Sequence, residues 1–119
     1  MKAVIFHNPA CSTSRRTLAL LRQAGVEPEI VEYLACPPSR ERLAALIGRA
    51  GLSVRAALRR KEPLFHSLGL DDPCLGDTAL LDAMLAHPVL IERPFVETEL
   101  GTRLARPSEA VLEILPARG

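Results

Sequence analysis

The stretch AVIFHNPACSTSRRTLALLRQAGVEPEIVEYL, residues 3–34, decides the fold because it predicts a strand, a helix and a second strand in direct succession. The run KAVIF (residues 2–6) is short, apolar and partly β-branched, which predicts a buried strand. From Ser12 the apolar residues recur at helical spacing as far as Gly25, a typical helix stop. PEIVEYL (residues 28–34) predicts the next strand. Strand, helix and strand at this spacing form a βαβ unit with a parallel pair.

The middle of the chain is predicted to be helical. Apolar residues at helical spacing follow residues that favour helix starts. The predicted helices are PPSRERLAALIGRAG (37–51) with Ser39 as N-cap, SVRAALRR (53–60) with Ser53 as N-cap, EPLFHSLGL (62–70), and TALLDAMLAH (78–87) with Asp77 as N-cap.

Strand character returns in PVLIERPFVETELGTRLARP (88–107), where Arg93–Pro94 separates VLIE from FVETEL and Gly101 marks a turn. Pro107 is predicted to open a last helix, PSEAVLEIL (107–115), and the closing PARG predicts a loose tail. We therefore expect an α/β, thioredoxin-like fold. It would be a mixed four-stranded sheet flanked by helices, with a helical insertion between a βαβ part and a ββα part.

Composition and charge favour one domain, residues 1–119, and exclude several functional classes. Hydrophobic residues make up 48% of the 119 and the net charge is +1, so no global charge favours nucleic acid or a membrane surface. No apolar run has the length of a signal-peptide core or of a bilayer span. The three cysteines are widely spaced, and no Cys/His spacing resembles a zinc site. We expect a cytoplasmic protein with reduced thiols and no bound metal.

Cys11 stands between the first predicted strand and the first predicted helix, and it is the candidate nucleophile. Ligands of α/β folds bind at this edge of the sheet. The first N–H groups of a helix carry partial positive charge, which stabilises a thiolate and can bind an oxyanion. His7 ends the strand and could help to set the charge of the thiol. The alternative is a buried structural cysteine; we interpret Cys36 and Cys74 as incidental.

Residue counts around Cys11 exclude two other kinds of cysteine site. A dithiol site of the thioredoxin kind needs a second cysteine three residues on, where this chain has Ser14. A low-molecular-weight phosphatase loop needs an arginine six residues after its cysteine, where this chain has Thr17. The pattern is therefore a single-thiol CxxS site, and a second thiol must come from elsewhere.

Three arginines stand out as candidate anion ligands. Arg59 ends a predicted helix, Arg93 precedes Pro94, and Arg106 precedes Pro107. A guanidinium binds a tetrahedral oxyanion through paired N–H groups better than a lysine does. An X-Pro bond that feeds a strand is also a candidate cis peptide, which would direct its neighbours towards the cysteine loop.

Five blocks of the sequence match the lettering of a known family in one register, from about Lys2 to about Leu115. FHNPACSTSR matches YHNPACxTSR, YLACPPSRERL matches YLxxPPSRxxL, and SVRAALR matches SVRALLR. HPVLIERP matches HPILINRP, and GTRLARPSE matches GTRLxRPSE. The chain thus resembles the glutaredoxin-coupled, ArsC-like arsenate reductase family, which has a thioredoxin-like fold.

The resemblance implies roles for the matching residues. Cys11 would be the nucleophile that attacks arsenate. Arg59, Arg93 and Arg106 would bind the arsenate and arsenite oxygens. His7 would favour the thiolate, with Asn8 and Ser14 supporting the loop.

The resemblance also implies the external partners. Glutathione would attack the thiolate–arsenic adduct, arsenic(V) would be reduced to arsenic(III), and glutaredoxin would clear the resulting mixed disulfide. Arsenate, glutathione and glutaredoxin are therefore the implied partners, and no bound cofactor or metal is implied.

One departure from the family and two other functions stay open. Ser12 stands where the best-known members have glycine. A related glutathione-dependent thiol oxidoreductase with another substrate would use the same CxxS site. A non-enzymatic, RNA-polymerase-binding redox regulator of the same fold would typically carry CxxC, which Ser14 interrupts.

Overall fold

The computed structural model describes residues 1–116, which divide into two compact units. The first unit is formed by Met1–Cys36 and the described residues from Arg93 onwards, and the second is Pro37–Glu92. From residue 117 onwards the predicted tail lies outside the described residues. No helix in the described range is both long enough and apolar enough to cross a bilayer. The interpretation of the chain as a single domain stays a prediction.

A four-stranded sheet organises the first unit. Strand β1 (Ala3–Phe6) leads into helix α1 (Ser12–Gln23), and β2 (Glu29–Val31) pairs parallel with β1. Strand β3 (Phe95–Thr98) pairs antiparallel with both β1 and β4 (Gly101–Leu104). The strand order is β2-β1-β3-β4. The predicted βαβ unit and the thioredoxin-like mixed sheet are confirmed.

One hydrophobic core fastens α1 to the sheet. Leu18 and Leu21, spaced to lie on one face of α1, join a cluster with Val96 of the sheet. Val111 and Ile114, from the 3-10 helix Ser108–Ile114, complete that cluster. Burying a side chain of this size stabilises a fold by about 1.5–3 kcal/mol. The core therefore fixes the direction of α1, and with it the position of the loop that precedes the helix.

Four short α-helical and 3-10 segments follow one another in the second unit before its last turn. They are α2 (Arg40–Arg49), the 3-10 helix Arg55–Ala57, α3 (Pro63–Ser67) and α4 (Asp77–Ala86), and the 3-10 turn Pro88–Leu90 comes last. The predicted N-cap of α2 is confirmed, since the Ser39 hydroxyl accepts the Arg42 N–H at 3.1 Å. The predicted helix 53–60 is only the 3-10 helix Arg55–Ala57 with Val54 rather than Ser53 as its N-cap, although the Ser53 hydroxyl accepts the Ala56 N–H at 3.1 Å. Side-chain oxygens thus satisfy N–H groups that lack helical partners.

The prediction of a strand in VLIE is wrong. Pro88–Leu90 is a 3-10 turn, and only Ile91 forms an isolated antiparallel bridge, with Leu58. The N–H of Leu90 donates to the His87 carbonyl at 2.9 Å, and the N–H of Ile91 donates to the Pro88 carbonyl at 3.0 Å. These groups are satisfied locally at a spacing of three residues, which is the 3-10 pattern and leaves little for a strand partner.

Two helix starts also differ from the prediction. Gly76, not Asp77, is the N-cap of α4. Asp77 is the first helical residue, where its negative carboxylate interacts favourably with the positive end of the helix dipole. The last helix is a 3-10 helix, and Pro107 is the extended residue before it rather than its first residue. The Ala110 N–H donates to the Pro107 carbonyl at 3.0 Å, which is again the three-residue spacing.

Candidate active site

Cys11 lies directly before the first residue of α1. Its backbone is extended, with φ −93° and ψ 121°, and its N–H donates to the Asn8 carbonyl at 3.0 Å. Its carbonyl accepts the first helical hydrogen bond, from the Arg15 N–H at 3.0 Å. The thiol is half-buried. α1 begins at Ser12, as predicted, so Cys11 is next to N–H groups that have no partner inside the helix.

Hydrogen-bond donors from two sides favour the Cys11 thiolate. Burial opposes ionisation and by itself raises the pKa of Cys11, but four donors act the other way. They are the Ser14 N–H, the guanidinium groups of Arg93 and Arg106, and the Thr13 N–H. Their sum holds the pKa of Cys11 below its ordinary value of 9.0. A thiolate is the nucleophilic form of cysteine, so this site raises its population.

The guanidinium of Arg106 lies beside the thiol and is braced by the backbone of Arg93. Its Nη1 is 4.0 Å from Cys11 Sγ and donates to the Arg93 carbonyl at 2.9 Å. The Ala105 N–H donates to the Pro94 carbonyl at 2.9 Å, which ties the two segments together. The Arg93–Pro94 and Arg106–Pro107 bonds are both cis. The structure thus brings Arg93 and Arg106 to the cysteine.

His7, Asn8 and Ser14 form a buried polar cluster in the loop that holds Cys11. Their exposed fractions are 6%, 6% and 0%. Ser14 Oγ lies 2.6 Å from His7 Nδ1 and accepts the Asn8 N–H at 3.1 Å. The Asn8 side-chain oxygen accepts the Ala10 N–H at 3.0 Å. One serine hydroxyl therefore connects the end of β1 to the first turn of α1.

The His7 ring favours its neutral form. Burial lowers the pKa of His7 below 6.5; Glu32 opposes this shift, and Arg22 and Arg15 add to it. The neutral ring can accept the Ser14 hydroxyl proton at Nδ1 when its own proton is on Nε2. The contact of His7 with the site thus runs through Ser14, whose N–H acts on the thiol.

Arg59 belongs to the second unit and is described with it. Its Nη1 donates to Glu92 Oε1 at 3.1 Å, and both side chains are 20% exposed. Its N–H donates to the Leu90 carbonyl at 2.8 Å, beside the bridge between Leu58 and Ile91. The Arg59 backbone is therefore fixed within this unit, and its binding of an oxyanion stays a prediction.

Sequence reasoning missed Ser108. Its hydroxyl donates to the Thr13 carbonyl at 3.1 Å, and the residue is 4% exposed. In the sequence, Ser108 looks like an ordinary serine at a helix start after Pro107. Its place two residues after Arg106 is the one feature of the sequence that points to the site. The acceptor, the Thr13 carbonyl, is 95 residues earlier in the chain, so no local pattern reveals the contact.

No metal site accompanies this cluster. Within residues 1–116, no three His, Cys, Asp or Glu side chains are grouped so that they could hold a metal ion. The first unit does offer a cysteine thiol of lowered pKa beside guanidinium groups at a helix start. This combination suits attack on a tetrahedral oxyanion, since the guanidinium and N–H groups can bind its oxygens.

Comparisons with known proteins agree in one family. Residues 6–114 match the model of the ArsC family. An arsenate reductase of Rhizobium meliloti is 62% identical over 116 residues, which cover 98% of this chain and 83% of that protein. An arsenate reductase of Escherichia coli K12 is 55% identical over 112 residues, 94% of this chain and 79% of its own. The structure of an arsenate reductase from Vibrio cholerae superposes with a TM-score of 0.93 at 51% identity, covering 97% and 98% of the two chains.

Proposed function

Because the chain belongs to the ArsC family, we propose that it is an arsenate reductase that works with glutathione and glutaredoxin. Relatives that are 62% and 55% identical to it carry the name arsenate reductase. The five matching sequence blocks, from FHNPACSTSR to GTRLARPSE, resemble those of the glutaredoxin-coupled arsenate reductases. These similarities support the substrate and the external thiols as parts of one proposal.

The observation that carries the proposal is the position of the Cys11 sulfur. It lies 4.0 Å from Nη1 of Arg106, and donors on both sides lower its pKa. The thiolate attacks arsenic(V), a sulfur–arsenic bond forms, and one arsenate oxygen leaves as water after protonation. The guanidinium groups of Arg93 and Arg106 stabilise the negative charge on the remaining oxygens.

Reduction follows when glutathione attacks this adduct. The glutathione thiolate forms a disulfide bond with the Cys11 sulfur, the sulfur–arsenic bond breaks, and its electron pair stays on arsenic. Those two electrons convert arsenic(V) to arsenic(III), and arsenite leaves. Glutaredoxin then reduces the mixed disulfide and restores the Cys11 thiol. A CxxS site suits this scheme because Ser14 cannot form an internal disulfide.

The other predicted residues support these steps. Arg59 contributes a third guanidinium for the arsenate and arsenite oxygens. His7 and Asn8 hold the Ser14 hydroxyl, and thereby keep the Ser14 N–H directed at the sulfur. The protein would supply a prepared nucleophile and an anion site, while glutathione supplies the second thiol.

A coupled assay tests the proposal directly. NADPH consumption is followed with arsenate, glutathione, glutathione reductase and glutaredoxin for wild type and Cys11→Ser. We expect turnover in the wild type and none in Cys11→Ser. Cys36→Ser and Cys74→Ser are matched controls, since both thiols are exposed and outside the site, and both should keep wild-type turnover.

Two results would overturn the proposal. Full turnover in Cys11→Ser would show that Cys11 is not the nucleophile. The second result is a wild type that shows no turnover and whose Cys11 is alkylated equally fast with and without arsenate. It would exclude arsenate as the substrate and would favour a thiol oxidoreductase with another substrate.

A further inference from the structure

Ser108 joins the segment that carries Arg106 to the loop that carries Cys11. Ser108 follows Arg106 by two residues, and Thr13 follows Cys11 by two residues. The hydrogen bond of 3.1 Å from the Ser108 hydroxyl to the Thr13 carbonyl therefore links the two backbones close to both functional side chains. We propose that Ser108 is a positioning residue that holds the Arg106 guanidinium and the first turn of α1 in register with the Cys11 sulfur.

The restraints on either side of Arg106 show why one serine has this effect. On the upstream side, the N–H of Ala105 donates to the Pro94 carbonyl at 2.9 Å, and the N–H of Arg106 donates to the Leu104 carbonyl at 2.9 Å. On the downstream side, Ser108 is a buried contact to the cysteine loop, and apolar packing resumes at Val111. Without the Ser108 bond, the segment after Arg106 is held to α1 by the exposed Glu109–Arg16 ion pair and by the packing that begins at Val111, and both lie farther along the chain from Arg106.

The neighbouring residue bridges the same two segments in a weaker way. Glu109 pairs with Arg16 of α1 at 2.7 Å, but the two side chains are 50% and 62% exposed. An exposed ion pair is screened by water and tolerates many geometries. The Ser108 side chain is buried and its hydrogen bond is directional, so it can fix a position that the exposed ion pair cannot.

Loss of the Ser108 hydroxyl does not leave a buried acceptor without a partner. The Thr13 carbonyl also accepts the Thr17 hydroxyl at 2.8 Å, and that bond stays within α1. A buried acceptor that keeps a partner avoids the main cost of a deleted hydrogen bond. The substitution Ser108→Ala should therefore change geometry at Cys11 more than it changes the stability of the fold.

The thiol reports that geometry. The groups that act on Cys11 are the Ser14 N–H, the side chains of Arg93 and Arg106, and the Thr13 N–H. The Thr13 carbonyl that Ser108 contacts belongs to the same peptide unit as the Ser14 N–H, and Ser108 lies two residues from Arg106, so its hydrogen bond is next to two of these four groups. Movement of Arg106 or of the Thr13–Ser14 peptide away from the sulfur leaves the thiolate with fewer donors.

The test measures the pH dependence of Cys11 alkylation by iodoacetamide in a background where Cys36 and Cys74 are serine. Ser108→Ala is compared with Glu109→Gln, which removes the exposed bridge at the adjacent residue. We expect the pH midpoint of alkylation to rise in Ser108→Ala and to stay at the wild-type value in Glu109→Gln. In the coupled assay, Ser108→Ala should raise the KM for arsenate several-fold with a smaller effect on kcat.

Each outcome decides the role of Ser108. An unchanged midpoint in Ser108→Ala, an equal rise in Glu109→Gln, or a Ser108→Ala protein that fails to fold would overturn it. The kinetic consequence rests on the proposed function, but alkylation needs no turnover. A wild type that does not reduce arsenate would therefore end the proposed function and leave the midpoint to decide the role of Ser108.

Discussion

Replacing Ser14 with alanine removes one hydroxyl that serves two buried groups. Ser14 Oγ bonds with His7 Nδ1 at 2.6 Å and with the Asn8 N–H at 3.1 Å, and both partner residues are 6% exposed. Each buried group left without a partner costs about 1–3 kcal/mol. Alanine returns about 0.5 kcal/mol through its better helix propensity. Two such groups less this gain give a loss of about 1.5–5.5 kcal/mol in the free energy of unfolding for Ser14→Ala.

Urea unfolding followed by circular dichroism measures this loss, with the m-value as a check on two-state behaviour. Ser39→Ala is the matched control, since it also removes one serine hydroxyl but from an exposed N-cap that accepts the Arg42 N–H. That control should cost about 1 kcal/mol. If Ser14→Ala is no more destabilising than Ser39→Ala, the Ser14 hydroxyl does not satisfy two buried groups and the reasoning is refuted.

Three further predictions concern the charges of the site. The pH midpoint for alkylation of Cys11 by iodoacetamide should lie below that of a free cysteine, about 8.5, because the hydrogen-bond donors outweigh burial; a midpoint at or above the free-cysteine value contradicts this. Arg93→Lys should raise the KM for arsenate in the coupled assay although the charge is kept, because lysine lacks the planar fork; unchanged KM and kcat would remove Arg93 from the site. Burial lowers the pKa of His7 below 6.5 in the folded protein. As the pH falls, the unfolded chain therefore binds a proton at His7 at a higher pH than the folded protein does. The free energy of unfolding decreases over this range, until the pH has passed below the folded pKa. Urea titrations from about pH 8 to about pH 5 should show this loss in wild type and a smaller one in His7→Gln; equal losses would mean that His7 is not the group responsible.

Local pattern was a reliable guide where an element is settled by its own residues. The apolar spacing and the hydroxyl before the helix predict α2 and its Ser39 cap, and both are confirmed. The pattern fails at VLIE, where apolar residues suit a strand but Pro88 starts a 3-10 turn. An apolar run indicates that its residues are buried. Whether they form a strand or a turn depends on which backbone hydrogen-bond partners are available to them.

The candidate site divides in the same way. A cysteine between a predicted strand and a predicted helix indicates a thiol at a helix start, and Cys11 lies there. The neighbouring residues single out Arg93 and Arg106 as arginines before prolines. They do not show how far either side chain lies from Cys11, which is much earlier in the chain. The position of Arg106 at 4.0 Å from the sulfur, and the tie between Ser108 and Thr13, belong to pairs that are 95 residues apart in the chain.

The sequence by itself determined the βαβ unit, the position of Cys11 at a helix start and the absence of a second thiol at Ser14, because each depends on residues a few positions apart. Only the tertiary structure decided which donors reach the sulfur and which buried hydroxyl bonds to the loop that carries it. Pairing of β3 with β1 and packing of the last 3-10 helix on α1 bring the two ends of the first unit together. Contacts between distant segments depend on the whole core, and no local pattern encodes them.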